Sequence, residues 1–329
     1  MTTASAPAPD AAPAAGRWTA DRIPDQTGRT IVVTGANSGL GYVTARELAR
    51  HGAHVILTAR NTGKGGAALD RLRGELPGSS VELRTLDLAD LDSVRAFADA
   101  LDAPVDVLVN NAGIMMPPRS LTKQGFESQF GTNHLGHFAL TGLLLERLRA
   151  GRDPRVVTVT STLHKNGAIH FDDLDGARSY SPRGFYAQSK YANVLFALEL
   201  DRRLRASAVP VRSVLAHPGY SATNLQSSGP TGLLRAVLKV TNRLLAQDVE
   251  TGALNQLYAA TSPHARGGRF IGPDGRNEAK GHPTFVRPAA SATDPGTARR
   301  LWDLSERLTG VRYDFPRHPA GAVAVTPAA

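Results

Sequence analysis

The stretch "TIVVTGANSGLGYVTARELARHG", residues 30–52, decides the fold. "TIVVT" (30–34) is an unbroken run of β-branched residues and reads as a short buried strand. "LGYVTARELARHG" (40–52) has apolar residues at helical spacing and ends at a glycine. The loop between them carries Gly35, Gly39 and Gly41, flanked by Asn37, Ser38 and Leu40. Glycines allow a tight turn and close approach of a ligand to the backbone, and a helix N-terminus presents free N–H groups to an anion. A glycine-rich loop alone reads equally well as an empty turn. The strand before it and the helix after it favour phosphate binding. The spacing is Gly-x-x-x-Gly-x-Gly, not the Gly-x-Gly-x-x-Gly of the older dinucleotide fingerprint.

Outward from this stretch the alternation repeats. "HVILTA" (54–59), "VELRTL" (81–86), "VDVLVN" (105–110), "RVVTVT" (155–160) and "VRSVLA" (211–216) read as strands. Helical patterns separate them, over 66–78, 91–101, roughly 124–150 and roughly 185–206. Strands apolar throughout and alternating with helices predict a parallel sheet covered on both faces. Right-handed crossovers make that a doubly wound, Rossmann-type α/β sheet. Seven strands are expected, the last near "GRFIGP" (268–273), in a single domain over 18–316. Residues 1–17 read as a disordered Ala/Pro-rich leader and 317–329 as a disordered tail.

Bulk properties narrow the function. The 329 residues are 41% hydrophobic and 20% charged, enough for a large core. There is no cysteine, which removes disulfides, thiolate metal sites and a cysteine nucleophile. A net charge of +9 suits a phosphorylated cofactor as well as nucleic acid. No Lys/Arg run or aromatic-interleaved basic patch appears, so nucleic acid is disfavoured. No stretch is long and apolar enough for a membrane span or anchor, and a cytoplasmic location is expected.

An NAD enzyme places an acid at the end of the second strand for the ribose hydroxyls. "VILTARNTGKGG" (55–66) has none and offers Arg60. A guanidinium suits a 2′-phosphate, so NADP(H) is expected and NAD(H) disfavoured. Farther on, "FYAQSKYAN" (185–193) sets Tyr186 and Lys190 one helical turn apart. An ammonium about 5 Å from a phenol, at an effective dielectric of about 20, is worth roughly 3 kcal/mol, or about two pKa units downward. From "YAQSK" alone, an ordinary surface pair is the simpler reading.

"DL" at Asp87–Leu88, "NNAG" (110–113), "TNHLGHF" (132–138), "TVTS" (158–161), "YAQSK" (186–190) and "HPGYSAT" (217–223) follow in order. Together with the glycine loop this set resembles the short-chain dehydrogenase/reductases. It is most similar to their retinol dehydrogenase-like group, which includes WW-domain oxidoreductases and many bacterial reductases. The resemblance runs from about Trp18 to "ARRLWDLSERLTGV" (298–311). It implies that Tyr186 is the acid/base, that Lys190 assists it and holds the nicotinamide ribose, that Ser161 orients the substrate oxygen, and that Asn133 holds a water in a proton relay. It also implies that Asp87 and Leu88 approach the adenine, and that Asn110 steadies the sheet centre while Ala112 and Gly113 lie against the cofactor. Pro218 and Gly219 would pass the nicotinamide, with Thr223 on its carboxamide. His134 and His137 have helical i,i+3 spacing but no evident third ligand, so no metal is expected.

The leading expectation is an NADP(H)-dependent oxidoreductase interconverting an alcohol and a ketone or aldehyde. Two other readings are a non-catalytic NADP(H)-binding regulator and a double-bond reductase of the protochlorophyllide type. Ser161 and Tyr186 are separated by a long insertion (162–185), lying either near the substrate mouth or over a helix face that often pairs two subunits. A homodimer therefore stays open. Leu233, Leu234, Val237, Leu238 and Val240 suggest an amphipathic lid over 224–247, which fits a lipophilic substrate.

Overall fold

The computed structural model describes residues 17–219 and 248–315. Thr223, the lid segment 224–247, the leader up to residue 16 and the C-terminal tail lie outside the described residues.

The strands are β1 (Thr30–Val33), β2 (His54–Ala59), β3 (Val81–Thr85), β4 (Val107–Asn110), β5 (Arg155–Val159), β6 (Arg212–Ala216), β7 (Phe270–Pro273) and β8 (Pro283–Phe285). They form one eight-stranded sheet in the order β3-β2-β1-β4-β5-β6-β7-β8. The first seven are parallel to one another, as expected, and β8 is an added antiparallel edge strand. The sequence reading missed β8 because three residues led by a proline give no periodicity to read.

Helices α1 (Gly39–Arg50), α2 (Thr62–Glu75) and α8 (Val249–Thr261) cover one face. They bury Leu48, Leu72 and Leu257 against Ile31, Val109 and Val157. Helices α3 (Leu91–Asp99), α5 (Gly136–Leu143) and α7 (Pro182–Ala206) cover the other face, with α9 (Pro295–Thr309) packed outside α5 and α7. Here Val94, Phe138, Phe196 and Trp302 pack on Leu108 and Val156. Strand residues alternate between the two cores, which is why these strands read as continuously apolar.

The helix expected over 124–150 is instead a series of short pieces. α4 (Ser128–Phe130), a π-helical turn (Gly131–Leu135), α5 and α6 (Leu145–Arg149) follow one another. Buried Glu127 starts the series by accepting from the N–H groups of Gln129 and Phe130, at 2.9 and 2.8 Å. A Cβ at Gly136 would overlap the carbonyl oxygen of Leu88, so glycine lets this segment press against the chain leaving β3. α7 begins three residues before the expected start, where Ser181 Oγ accepts from the Gly184 N–H and Pro182 opens the first turn.

Candidate active site

The strand order reverses between β1 and β4, and a crevice opens there beyond the carboxyl ends of the strands. Gly35, Asn37, Ser38, Gly39, Leu40 and Gly41 form one wall. Arg60 lines it from the end of β2, Asp87 and Leu88 from the end of β3, and Ala112 and Gly113 from the end of β4. Gly35 has φ of +66°, and a Cβ on Gly41 would sit 2.5 Å from the Gly35 oxygen and 2.6 Å from Asn111 Nδ2. No larger residue fits the second position.

Ser38 precedes α1 but makes no side-chain cap, whereas Asn61, Asp90, Ser181, Asp248 and Asp294 each cap their own helices. The first N–H groups of α1 therefore face the crevice without a side-chain acceptor. That is the arrangement an anion needs. Arg60 is exposed and, among the described residues, has no hydrogen-bond or ion-pair partner.

Asn110 does not line the crevice. It is buried and donates from Nδ2 to Thr141 Oγ1 at 3.0 Å, tying β4 to α5 as a support for the sheet centre. Its neighbour Asn111 does line it. Asn111 Nδ2 donates to the Thr34 carbonyl (2.8 Å), and the N–H groups of Asn111 and Ala112 both donate to Thr34 Oγ1 at 2.9 Å. The sequence reading passed over Asn111, although its place inside "NNAG" marks it. It also missed Thr58, Ile114 and Thr132, which share this lining.

Past Gly113 the crevice meets a second group of side chains. A Cβ on Gly113 would lie 3.1 Å from Asn133 Oδ1 and 3.7 Å from Lys190 Nζ. Tyr186 and Lys190 project from α7, both buried, with Nζ 5.8 Å from the phenol ring centroid. Lys190 Nζ donates to the Val159 carbonyl at 3.2 Å. Ser161 follows β5; its hydroxyl accepts from the Leu163 N–H at 3.3 Å, and its influence on the Tyr186 phenol favours the phenolate. Tyr186, Lys190, Ser161 and Asn133 thus gather at the inner end of the glycine-lined crevice.

The electrostatics differ from the sequence expectation. Burial pushes the Tyr186 phenol up to about 12, against a smaller lowering by Ser161. Burial also brings the Lys190 ammonium down to about 8. Desolvation outweighs the two-unit lowering expected from an ammonium one turn away. The phenol therefore holds its proton throughout the neutral range.

Asn133 lies in the π-helical turn. Its side chain clasps the loop after β4 in both directions. Oδ1 accepts from the Ile114 N–H (2.8 Å), and Nδ2 donates to the Ile114 carbonyl and to Ser189 Oγ, each at 2.9 Å. Buried Gln129 holds the same loop at the Met116 N–H (2.8 Å), and Tyr180 Oη donates to the Pro117 carbonyl (2.8 Å). Tyr180 belongs to the insertion 162–185, so the insertion braces the loop after β4. Pro218 and Gly219 follow β6, with the Gly219 N–H donating to His217 Nδ1 at 3.2 Å.

His134 and His137 are packing residues. His134 lies 2.9 Å from Ser305 Oγ, and His137 lies 2.9 Å from Thr34 Oγ1. Among the described residues no group of three or more side chains could hold a metal. Burial lowers the two imidazoles to about 3 and about 4. Their folded values lie below the unfolded one, so this stability is present above pH ~6.5 and is lost as pH falls through the folded values. Urea midpoints should hold from pH 8 to 7 and drop between pH 6 and 4. His134→Phe should flatten that drop by up to about 1.4 kcal/mol per pH unit. An unchanged slope would place the acid sensitivity elsewhere.

A doubly wound sheet with such a crevice at its switch point is a dinucleotide-binding α/β protein. The chain belongs to the short-chain dehydrogenases, oxidoreductases whose family profile matches residues 29–232. Within them it falls in the retinol dehydrogenase-like group. It is 42% identical to mouse (Mus musculus) polyprenol dehydrogenase over 88% of this chain and 86% of that protein. It is 41% identical to human (Homo sapiens) retinol dehydrogenase 14 over 86% of this chain and 87% of that protein. The fold matches the crystal structure of an uncharacterised protein from Mycobacterium paratuberculosis with a TM-score of 0.77 and 48% identity, over 92% of this chain and 100% of that one. Among the described residues no helix is long and apolar enough to cross a membrane.

Proposed function

We propose that the protein is an NADP(H)-dependent oxidoreductase interconverting an alcohol and an aldehyde or ketone, with Tyr186 moving the proton. The observation that carries this reading is the joint at Gly113, where the glycine-lined crevice runs into Asn133 and Lys190.

The crevice fits a dinucleotide. Gly35 and Gly41 clear the backbone for a pyrophosphate, the uncapped start of α1 receives its charge, and Arg60 is free to pair with a 2′-phosphate. A bound nicotinamide would supply or accept the hydride. The chain's own residues do the rest. Tyr186, protonated at neutral pH, donates to the carbonyl oxygen in reduction and becomes a phenolate; in oxidation it is that phenolate which accepts the alcohol proton. Ser161 orients the substrate oxygen. Lys190 favours the phenolate that reduction leaves behind. Asn133 fixes the loop carrying Ile114, so the crevice wall is rigid before substrate arrives. Relatives named for retinol and a polyprenol, both apolar alcohols, support a lipophilic substrate.

The test is NADPH absorbance against a panel of aldehydes and ketones that includes apolar ones. Oxidation of NADPH by at least one class is expected. Cofactor binding with no turnover across the panel would overturn the enzyme reading. Arg60→Asp should lower the NADPH-over-NADH ratio of kcat/KM by about ten- to a hundred-fold, the worth of a charge-assisted pair replaced by repulsion. An unmutated protein with equal kcat/KM for both cofactors would sink the NADP(H) assignment.

A further inference from the structure

His217 closes β6 and is fully buried, packed edge-on against Phe270 with ring centroids 5.2 Å apart. Both of its ring nitrogens are engaged. The Gly219 N–H donates to Nδ1 at 3.2 Å, and Nε2 lies 3.0 Å from Glu278 Oε2. An amide N–H can only donate, so Nδ1 must be unprotonated. The imidazole hydrogen is therefore on Nε2, where the carboxylate accepts it.

Glu278 comes from the β7–β8 hairpin loop, and its other oxygen accepts from Lys165 Nζ at 2.7 Å. The hydrogen bond from His217 first, with Lys165 adding, brings this carboxyl down to about 2. Glu278 and Asn277 both have positive φ, +55° and +56°, an uncommon pair for residues other than glycine. Strain of this kind persists where the surroundings over-determine it. Here it aims one carboxylate at two partners. A Cβ on Gly219 would overlap the Ala279 carbonyl oxygen, so the same hairpin loop also presses on the Pro218–Gly219 turn.

Lys165 sits in the 3-10 helix Thr162–Asn166 that Ser161 starts. One carboxylate thus joins the segment leaving Ser161 to the turn after β6. We propose that Glu278 is a positioning residue: by fixing the His217 tautomer it sets the Gly219 N–H and holds the Pro218–Gly219 turn in the shape that receives the nicotinamide half of the cofactor. This rests on the cofactor reading above, in which that turn borders the nicotinamide.

The chemistry gives a specific test. Glu278 serves two donors with two oxygens, and a glutamine has only one. In Glu278→Gln the amide oxygen turns to the Lys165 ammonium and the NH2 faces His217. Nε2 must then accept, the hydrogen moves to Nδ1, and it opposes the Gly219 N–H. Lys165→Met combined with Glu278→Gln frees the amide oxygen to return to His217, and the original tautomer is restored. The readouts are imidazole 15N NMR shifts and the dissociation constants of NADPH and of 2′,5′-ADP, which lacks the nicotinamide half.

Glu278→Gln should move the His217 hydrogen to Nδ1 and weaken NADPH about ten-fold or more, the cost of opposing two buried donors. Its 2′,5′-ADP affinity should stay unchanged. The double variant should recover both the tautomer and NADPH binding. Glu278→Gln with an unmoved tautomer, or with equal losses for both ligands, overturns the proposal, as does a double variant that rescues neither. Failure of the cofactor reading looks different, because the unmutated protein would then bind neither ligand.

Discussion

Tyr186→Phe should lower kcat by about a thousand-fold or more while NADPH affinity stays within about two-fold. The ring is buried, with 5% of its surface exposed, and phenylalanine keeps that packing. What is lost is the hydroxyl and the proton it carries. With the phenol at about 12, the hydroxyl is a proton donor at any working pH. Among the described residues at the inner end of the crevice, Asn133 is engaged with Ile114 and Ser189, and Lys190 gives one of its hydrogens to the Val159 carbonyl. The check is steady-state kinetics with the best carbonyl substrate of the panel, beside NADPH fluorescence titration. A Phe variant keeping more than a tenth of the turnover would mean another acid serves.

Lys190→Met should do two opposite things: abolish turnover and raise the melting temperature near pH 7. A buried ammonium at about 8 has a folded value below the ordinary lysine value near 10.5. The unfolded chain therefore binds more protons between those limits, and stability rises with pH across them. Below pH 8 the whole cost of burying the charge is present, on the order of 3 kcal/mol. Methionine removes that cost and loses the bond to the Val159 carbonyl, worth about 1 kcal/mol. The net gain of about 1–2 kcal/mol corresponds to a few degrees in a domain of this size. Thermal melts of both proteins from pH 7 to 10 would check it, and the difference should shrink as pH rises above 8. A Met variant that melts lower at pH 7 would show that the buried charge costs nothing here.

Legibility followed from how local the chemistry is. The glycine loop could be read in sequence because a phosphate-binding turn requires small residues at fixed spacing beside a strand end; Arg60 stood out by the missing acid, and Asp87, Ala112 and Gly113 only through the family resemblance. Only the family resemblance turned the Tyr186–Lys190 pair from an ordinary surface pair into a working one, but their spacing of one turn on a single helix was visible before any fold was known. Their protonation was not, because desolvation depends on everything packed around α7. The hold of Asn133 on Ile114 was invisible for a similar reason: the residue type is wrong for a plain helix, but Ile114 lies nineteen residues away on the loop after β4. The His217–Glu278–Lys165 chain joins three segments distant in sequence and leaves no pattern in any one of them.

The two ends of the sheet bear on how the molecule keeps to itself. A parallel sheet rich in Val, Ile and Leu is a ready template for a foreign strand wherever its backbone lies bare. At one end β3 carries Glu82 and Arg84, ion-paired to each other at 2.7 Å, and an incoming strand would have to pass these charges. At the other end β8 uses up the pairing groups of β7 and offers little in return, being three residues long and starting at Pro283, which has no amide hydrogen. The small strand that no periodicity announced thus shortens, at that end, the open margin of a strongly apolar sheet to which a foreign strand could add.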